Sequence, residues 1–149
     1  MKINKGFFVF LLFFIFGCED EVKEIIPNVR VELSINLIHY NMLKVSGNSI
    51  IIESYGGRKI GYLGHGIIIY NKNGKYVAYD ATCTHDINES DGVENKGAVA
   101  VCKYCETTFS LDTGGPFTKN NVKPKAKYPL KEYRVLLSGE NIRVYNPNY

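Results

Sequence analysis

Two short pairs of metal-binding side chains constrain this chain more than any other feature of its sequence. The first pair is Cys83 and His85, with one residue between them, and the second is Cys102 and Cys105, with two between them. Thiolate and imidazole groups are the side chains that bind soft and borderline metals. Sixteen residues separate His85 from Cys102, so each pair has its own loop. The spacing predicts that the fold brings two loops together around one metal or iron–sulfur site.

Both pairs follow segments that are predicted to be strands. β-Rich runs at 67–70 and 75–79 flank an Asn-Gly turn, which predicts a hairpin leading into Cys83. A short apolar strand at 99–101 leads into Cys102. Further strands are predicted at 29–35, 49–53 and 107–111, with a last hairpin formed by 131–137 and 141–145, whereas 37–45 is ambiguous. Because no segment shows a sustained helical period, the predicted class is all-β.

The first seventeen residues have the layout of an export signal. Lys2 and Lys5 precede an unbroken apolar run over residues 6–16, which is too short to span a bilayer comfortably. The run ends in Gly17-Cys18, which resembles the lipobox of bacterial lipoproteins, although Phe16 is bulkier than the usual occupant. The resemblance implies cleavage before Cys18 and lipid attachment to it. The alternative is an ordinary signal peptide followed by an incidental cysteine.

This layout divides the chain into a signal peptide at 1–17, an acidic tether at 18–28 and one domain at 29–147. It predicts an exported protein that is lipid-anchored to a bacterial membrane, at the periplasmic face or the cell surface. Of the 18 Lys and Arg residues, Lys2 and Lys5 fall in the signal, so 16 remain against 15 Asp and Glu. A nearly neutral domain argues against nucleic-acid binding, which needs a clustered basic face.

The two pairs, read with the residues that follow them, resemble the Rieske [2Fe–2S] domain. The likeness continues through Phe109 into the Thr113-Gly114 turn. It also includes residues 123–126, which contain Pro124 and correspond to the loop that covers the cluster in that family, called the covering loop below. It extends over about residues 60–146. The resemblance implies antiparallel sheets in a β-sandwich, with a small cluster-binding subdomain at about 80–126.

The chain departs from the family pattern at three places. Cys105 stands where the family has its second histidine. Asn88 and Tyr104 occupy the positions at which high-potential members carry a disulfide, and Lys123 replaces the glycine that usually precedes the proline of the covering loop.

The resemblance also implies a ligand set for a [2Fe–2S] cluster. Cys83 and Cys102 would hold one iron, and His85 and Cys105 would hold the other. The additional thiolate adds one negative charge to the cluster and should lower its potential, near or below the lower end of the Rieske window of roughly −150 to +300 mV. Titration of His85 should make the potential depend on pH by one proton.

Two other interpretations of the site remain open. Three cysteines and one histidine also form a common closed zinc site. An exported protein lives in oxidising surroundings, so Cys102 and Cys105 could instead form a disulfide with no metal. The signal segment lacks the arginine pair with which folded, cluster-loaded proteins are exported, so the sequence does not resolve how a cluster would be acquired.

The function predicted from these observations is one-electron transfer with an unknown redox partner. A Rieske oxygenase also needs a mononuclear iron held by two histidines and a carboxylate. Only His39 and His65 remain outside the site, and the single predicted domain leaves no second domain to host such an iron. No bond chemistry of its own is therefore expected, and the ferredoxin component of such a system is favoured over the oxygenase. The rival prediction is an exported binding or structural module. Lysines near the covering loop, at 119, 123, 125 and 127, serve either solubility or docking to an acidic partner.

Overall fold

The structure, a computed structural model, describes residues 25–88 and 91–149. Within these ranges the chain forms antiparallel strands and two short 3-10 helices, at Asn41–Lys44 and Tyr62–Gly64. The predicted all-β class is therefore confirmed. The signal peptide, Cys18 and the first part of the tether lie outside the described residues. The strands are β1 Glu32–Asn36, β2 Ser49–Ile52, β3 Ser54–Tyr55, β4 Arg58–Lys59, β5 Ile67–Lys72, β6 Lys75–Asp80, β7 Val93–Asn95, β8 Val99–Cys102, β9 Thr108–Ser110, β10 Pro116–Phe117, β11 Glu132–Ser138 and β12 Asn141–Tyr145.

The larger sheet has six strands in the order β1-β12-β11-β6-β5-β2. Both predicted hairpins are present in it: β5 pairs with β6, and β11 pairs with β12. The first hairpin turns at Asn73 and Gly74, whose φ angles are 52° and 85°. Asparagine and glycine are the residues that adopt this left-handed conformation most readily. The turn chemistry therefore fixes the register that directs β6 towards Cys83.

Two hydrophobic cores lie on opposite faces of this sheet. On β5, Ile67 and Ile69 pack into the first core, whereas Ile68 and Tyr70 pack into the second. Successive side chains of a strand point to opposite faces of the sheet. The buried run Ile67–Tyr70 in β5 is therefore covered on both faces. The first core also receives Leu43 from the ambiguous segment 37–45, which forms turns and a 3-10 helix.

The smaller sheet has four strands in the order β10-β9-β8-β7 and is inserted between β6 and β11. Its side chains fill the second core, with Phe109 and Leu111 fully buried. β6 and β11 pair with each other through Tyr79 and Glu132. The inserted segment therefore leaves and rejoins the larger sheet at adjacent strands, and it carries both Cys/His pairs.

The end of the predicted tether packs onto the domain. Ile26 is buried, and its carbonyl accepts a hydrogen bond from Lys131 Nζ at 3.3 Å. The side chain of Asn28 accepts from the same ammonium group at 2.9 Å, and Asn146 donates to the carbonyl of Val29 at 2.8 Å. The chain is thus fixed from Ile26 onward. Over residues 25–88 and 91–149, no helix is long and apolar enough to cross a membrane.

Candidate metal centre

The three cysteines of the predicted site lie together in the second core. Cys83, Cys102 and Cys105 are all buried, and their sulfur atoms lie within 4.8 Å of one another. The sulfurs of Cys83 and Cys105 are 3.6 Å apart. All three are free thiols, so the structure holds no Cys102–Cys105 disulfide. Cys83 therefore shares one thiol-lined site with cysteines that follow it 19 and 22 positions later in the sequence.

The first ligand loop is fixed by a buried carboxylate at the end of β6. Asp80 is fully buried and accepts hydrogen bonds from the backbone N–H of Tyr62 at 2.7 Å and of Thr82 at 2.9 Å. It also accepts from the hydroxyl of Tyr133 at 2.8 Å. Buried polar groups are stable only when they are hydrogen-bonded. These bonds join the end of β6 to the loop that presents Cys83, to the second 3-10 helix and to β11.

The second ligand loop is a tight turn closed by its own backbone. The N–H of Cys102 donates to the carbonyl of Thr107 at 3.0 Å, and the N–H of Glu106 donates to the carbonyl of Cys102 at 2.8 Å. Glu106 adopts a φ of 60°, an uncommon value for a residue other than glycine. The reversal directs Cys102 and Cys105 to the same side, opposite Cys83.

The sulfurs form a hydrogen-bonded group in which one thiolate is favoured. The hydrogen bond between the sulfurs of Cys83 and Cys102 is the largest effect on the Cys102 thiol, and it lowers the pKa of Cys102. The backbone N–H groups of Cys105 and Tyr104 also lower the pKa of Cys102, while burial opposes them. The same bond to Cys102, together with burial, raises the pKa of Cys83. A thiolate is the form that binds metals.

His85 is placed at the surface, apart from the sulfurs. Its side chain is exposed, and among the described residues the close metal-binding group contains the three cysteines without it. It lines an open cavity with Lys125, Lys127, Tyr128 and Ile25. Its backbone N–H contacts the sulfur of Cys83, so the backbone of His85 lies next to the site although its imidazole is exposed. Its assignment as the fourth ligand stays a prediction.

The other two histidines lie away from the thiols. The Nδ1 of His65 is 2.9 Å from the hydroxyl of Thr82, and His39 is exposed. Neither of them belongs to the three-cysteine group.

Two threonines join the ligand loops to the covering loop or to the residues just after it, and neither was predicted from the sequence. Thr84 donates to the carbonyl of Tyr128 at 2.6 Å. Thr107 accepts from the backbone N–H groups of Lys125 at 3.0 Å and Ala126 at 3.1 Å, and its hydroxyl lies 3.1 Å from the sulfur of Cys105. Both threonines are buried next to ligands. The available signal was a hydroxyl residue between the members of the first ligand pair and another two residues after the second pair.

The donor set fits a soft or borderline metal. Three buried sulfurs with one favoured thiolate supply three of the four ligands that zinc or an iron–sulfur cluster takes from a protein. Sulfurs that share one tetrahedral metal at about 2.3 Å stand roughly 3.8 Å apart. The spacing of 3.6 Å between Cys83 and Cys105 matches that arrangement.

Comparison with known proteins gives a family and a fold. The family model for the Rieske [2Fe-2S] domain matches residues 51–134, more than half of the chain. The solved quaternary ammonium Rieske monooxygenase CntA, bound to its substrate gamma-butyrobetaine, is similar with a TM-score of 0.53 and 19% identity, over 82% of this chain and 34% of that one. No curated protein matches.

Two smaller proteins match over nearly their whole length. The plasma membrane Rieske protein PetC3 of the cyanobacterium Synechocystis PCC 6803 has a TM-score of 0.49 and 19% identity, over 78% of this chain and 98% of that one. The ferredoxin of carbazole 1,9a-dioxygenase from Nocardioides aromaticivorans has a TM-score of 0.46 and 17% identity, over 80% of this chain and 99% of that one. At such identities a structural likeness indicates fold alone.

Proposed function

Because this chain belongs to the Rieske [2Fe–2S] domain family, we propose that it is a membrane-anchored iron–sulfur protein that transfers single electrons between partner proteins. The observation that carries the proposal is the burial of three free thiols, within 4.8 Å of one another, on two loops of a Rieske-type fold. A bound [2Fe–2S] cluster supplies a reversible one-electron couple.

The proposed ligands are Cys83, His85, Cys102 and Cys105, assigned by the family pattern. The three cysteines hold the buried side of the site, and His85 marks its exposed side. Electron transfer to a partner protein requires one edge of a buried centre to come close to the surface. The exposure of His85 next to Cys83 supports that role for the imidazole edge.

The partner proposed for this edge is a redox protein. In the solved complex from carbazole 1,9a-dioxygenase, a ferredoxin is bound to an oxygenase. Exposed lysines at 119, 123, 125 and 127 surround the covering loop, and none of them forms an ion pair within the described ranges. Charges of one sign around a docking surface accelerate association with an oppositely charged partner. An acidic reductase or oxidase surface is therefore the proposed counterpart.

Membrane attachment is proposed through lipid on Cys18. The support is the signal-like layout of residues 1–17 and the Gly17-Cys18 junction, both outside the described residues. Several acyl chains give firm attachment, where one chain alone is marginal. Mass spectrometry of the protein from membranes should show a mature chain that begins at lipid-modified Cys18. A Cys18→Ala variant should leave the membrane fraction, and unchanged retention would contradict the anchor.

A second candidate function is a zinc-bound structural or binding module. The observation that favours it is the 3.6 Å separation of Cys83 and Cys105 sulfurs, which suits two ligands of one metal. Zinc has no redox chemistry, so a protein with zinc at this site would have the same fold but would not transfer electrons there.

One experiment separates the two candidates. The full chain is purified anaerobically under reducing conditions, its visible spectrum is recorded, and iron, zinc and acid-labile sulfide are counted. Two irons and two sulfides per chain, with a coloured protein that bleaches on reduction, would support the electron carrier. One zinc per chain in a colourless preparation would support the structural module. Cys105→Ala serves as the ligand control and should lower the metal content in either case.

A further inference from the structure

The described part of the chain begins at the wall of the cavity beside His85. Ile25 is the first described residue, and it lines this cavity of about 470 Å³ together with His85, Lys125 and Lys127. The next residue, Ile26, is buried, with 1% of its surface exposed, and its carbonyl accepts a hydrogen bond from a buried ammonium group at 3.3 Å. The point at which the chain leaves the domain towards its N-terminus is therefore fixed next to the exposed edge of the proposed metal centre.

The lining of this cavity carries more positive than negative charge. Lys125 and Lys127 are exposed, and neither forms an ion pair with any described residue. One carboxylate, that of Asp86, also lines the cavity, and it accepts a hydrogen bond from the backbone N–H of Asn88 at 3.1 Å. The two ammonium groups therefore attract an acidic segment that comes within a few ångströms of them.

The sequence supplies such a segment directly before Ile25. Residues 19–24, called the acidic segment here, read Glu-Asp-Glu-Val-Lys-Glu and lie outside the described residues. Four negative charges and one positive charge give the segment a net charge of −3. An extended chain covers at most about 3.3–3.6 Å per residue, so Glu21 lies within roughly 14 Å of Ile25 along the chain and Glu19 within roughly 22 Å. The acidic side chains are therefore long enough in reach to meet the cavity.

We propose that the acidic segment occupies the cavity beside His85 and pairs with Lys125 and Lys127. A segment that is joined to the cavity wall has an effective local concentration in the millimolar range, so exposed ion pairs that are individually weak keep the cavity filled for much of the time. The segment thereby takes the place of an acidic redox partner, and docking of that partner requires its displacement. Occupation of the cavity needs no metal, whereas its effect on electron transfer rests on the proposed function.

Two charge variants of the full chain test the proposal. The neutral-segment variant removes three carboxylates of the acidic segment: Glu19→Gln, Asp20→Asn and Glu21→Gln. The matched control removes three exposed carboxylates that do not line the cavity: Glu53→Gln, Asp91→Asn and Glu140→Gln. Both variants change the net charge of the chain by the same amount, so a difference between them reports the position of the charges. Folding of each variant is checked by circular dichroism.

The first measurement is the rate at which a small amine-reactive ester acylates Lys125 and Lys127 in the reduced, metal-free protein, read by peptide mass spectrometry. Both lysines should react about two- to fivefold faster in the neutral-segment variant than in wild type, the effect of losing exposed ion pairs. The control variant should match wild type, and Lys75, at the start of β6, is the internal reference. Equal rates in wild type and the neutral-segment variant would overturn the proposal. No cluster is needed, so this result stands even where the proposed function fails.

The second measurement is the binding of a hexaglutamate peptide, which serves as the probe for an acidic partner surface. The neutral-segment variant should bind the peptide about two- to fivefold more tightly than wild type, because the peptide no longer competes with the segment. In a Lys125→Gln/Lys127→Gln background, neutralising the segment should change nothing. A gain of the same size in that background would overturn the pairing with these two lysines. Acylation in wild type that slows as the protein concentration rises would place the segment of a second copy in the cavity and would overturn the intramolecular arrangement.

Discussion

Asp80 should be among the side chains on which the stability of the inserted segment depends most. Its carboxylate is fully buried and accepts hydrogen bonds from Tyr62, Thr82 and Tyr133. The change to test is Asp80→Ala, which removes the acceptor and leaves the three donors in place. Two of these donors are backbone N–H groups that no rotamer change can redirect.

The expected loss follows from those three donors. A buried donor that is left without a partner costs about 1–3 kcal/mol, and a water that enters the space recovers part of it. We therefore expect Asp80→Ala to lower the free energy of unfolding by about 3–6 kcal/mol. Tyr133→Phe removes one donor together with its need for a partner and should cost only about 1–2 kcal/mol.

The assay is urea unfolding of the reduced protein at neutral pH, with wild type and both variants measured side by side. The total free energy of unfolding of a small domain is only about 5–15 kcal/mol, so the Asp80→Ala variant should be close to unfolded. Tyr133→Phe is a milder variant whose free energy of unfolding can still be measured. An Asp80→Ala loss below about 1 kcal/mol, against the 1–3 kcal/mol expected per donor, would refute the reasoning. So would a larger loss for Tyr133→Phe than for Asp80→Ala.

Three further predictions concern the site and the sheets. In cluster-loaded protein, Cys105→His should raise the reduction potential, because it removes one thiolate charge; an equal or lower potential in a redox titration contradicts the ligand assignment. Arg143 hydrogen-bonds Glu32 through two nitrogens and lowers the pKa of that carboxyl, so this stabilisation exists above the unfolded pKa of Glu32 and is lost as pH falls through the lower folded value. Arg143→Gln should therefore lower the midpoint of urea unfolding at pH 7. It should leave the midpoint unchanged at about pH 3, which is below the usual pKa range of a glutamate side chain. An equal decrease in the midpoint at both pH values would exclude the ion pair as the cause. Gly114 has a φ of +71°, and an added Cβ would stand 2.8 Å from Cε1 of Tyr79, so Gly114→Ala should destabilise the protein by about 2 kcal/mol in thermal unfolding, from backbone strain and the clash.

The strands could be predicted because their signals are local. The Asn73-Gly74 turn and the alternation of apolar and polar residues over 29–35 are properties of neighbouring residues, and both correspond to elements of the larger sheet. The strand β7, at Val93–Asn95, was missed. It is three residues long, has one buried apolar side chain, and is defined by its pairing with β8. A pattern that short has no period to detect.

The metal centre could be predicted in part. The spacing of Cys83, Cys102 and Cys105 indicated a shared site, and the structure places their sulfurs together. The hydrogen bonds made by Thr107 were not predictable, because they depend on how a later loop returns over the ligands. That return joins Thr107 to residues eighteen and nineteen positions further along the chain. No local pattern encodes such a contact.

The pairing of Tyr79 with Glu132 holds the two ends of the inserted segment side by side. The six-stranded sheet has the first core on one face, and every strand of it is contributed by residues before Ala81 or after Lys131. The segment between them can open without breaking a strand pair of that sheet, since its two ends are already held side by side. Oxidation of the thiols would therefore act first on the second core, because none of the three thiols lies in the first core or in a strand of the larger sheet.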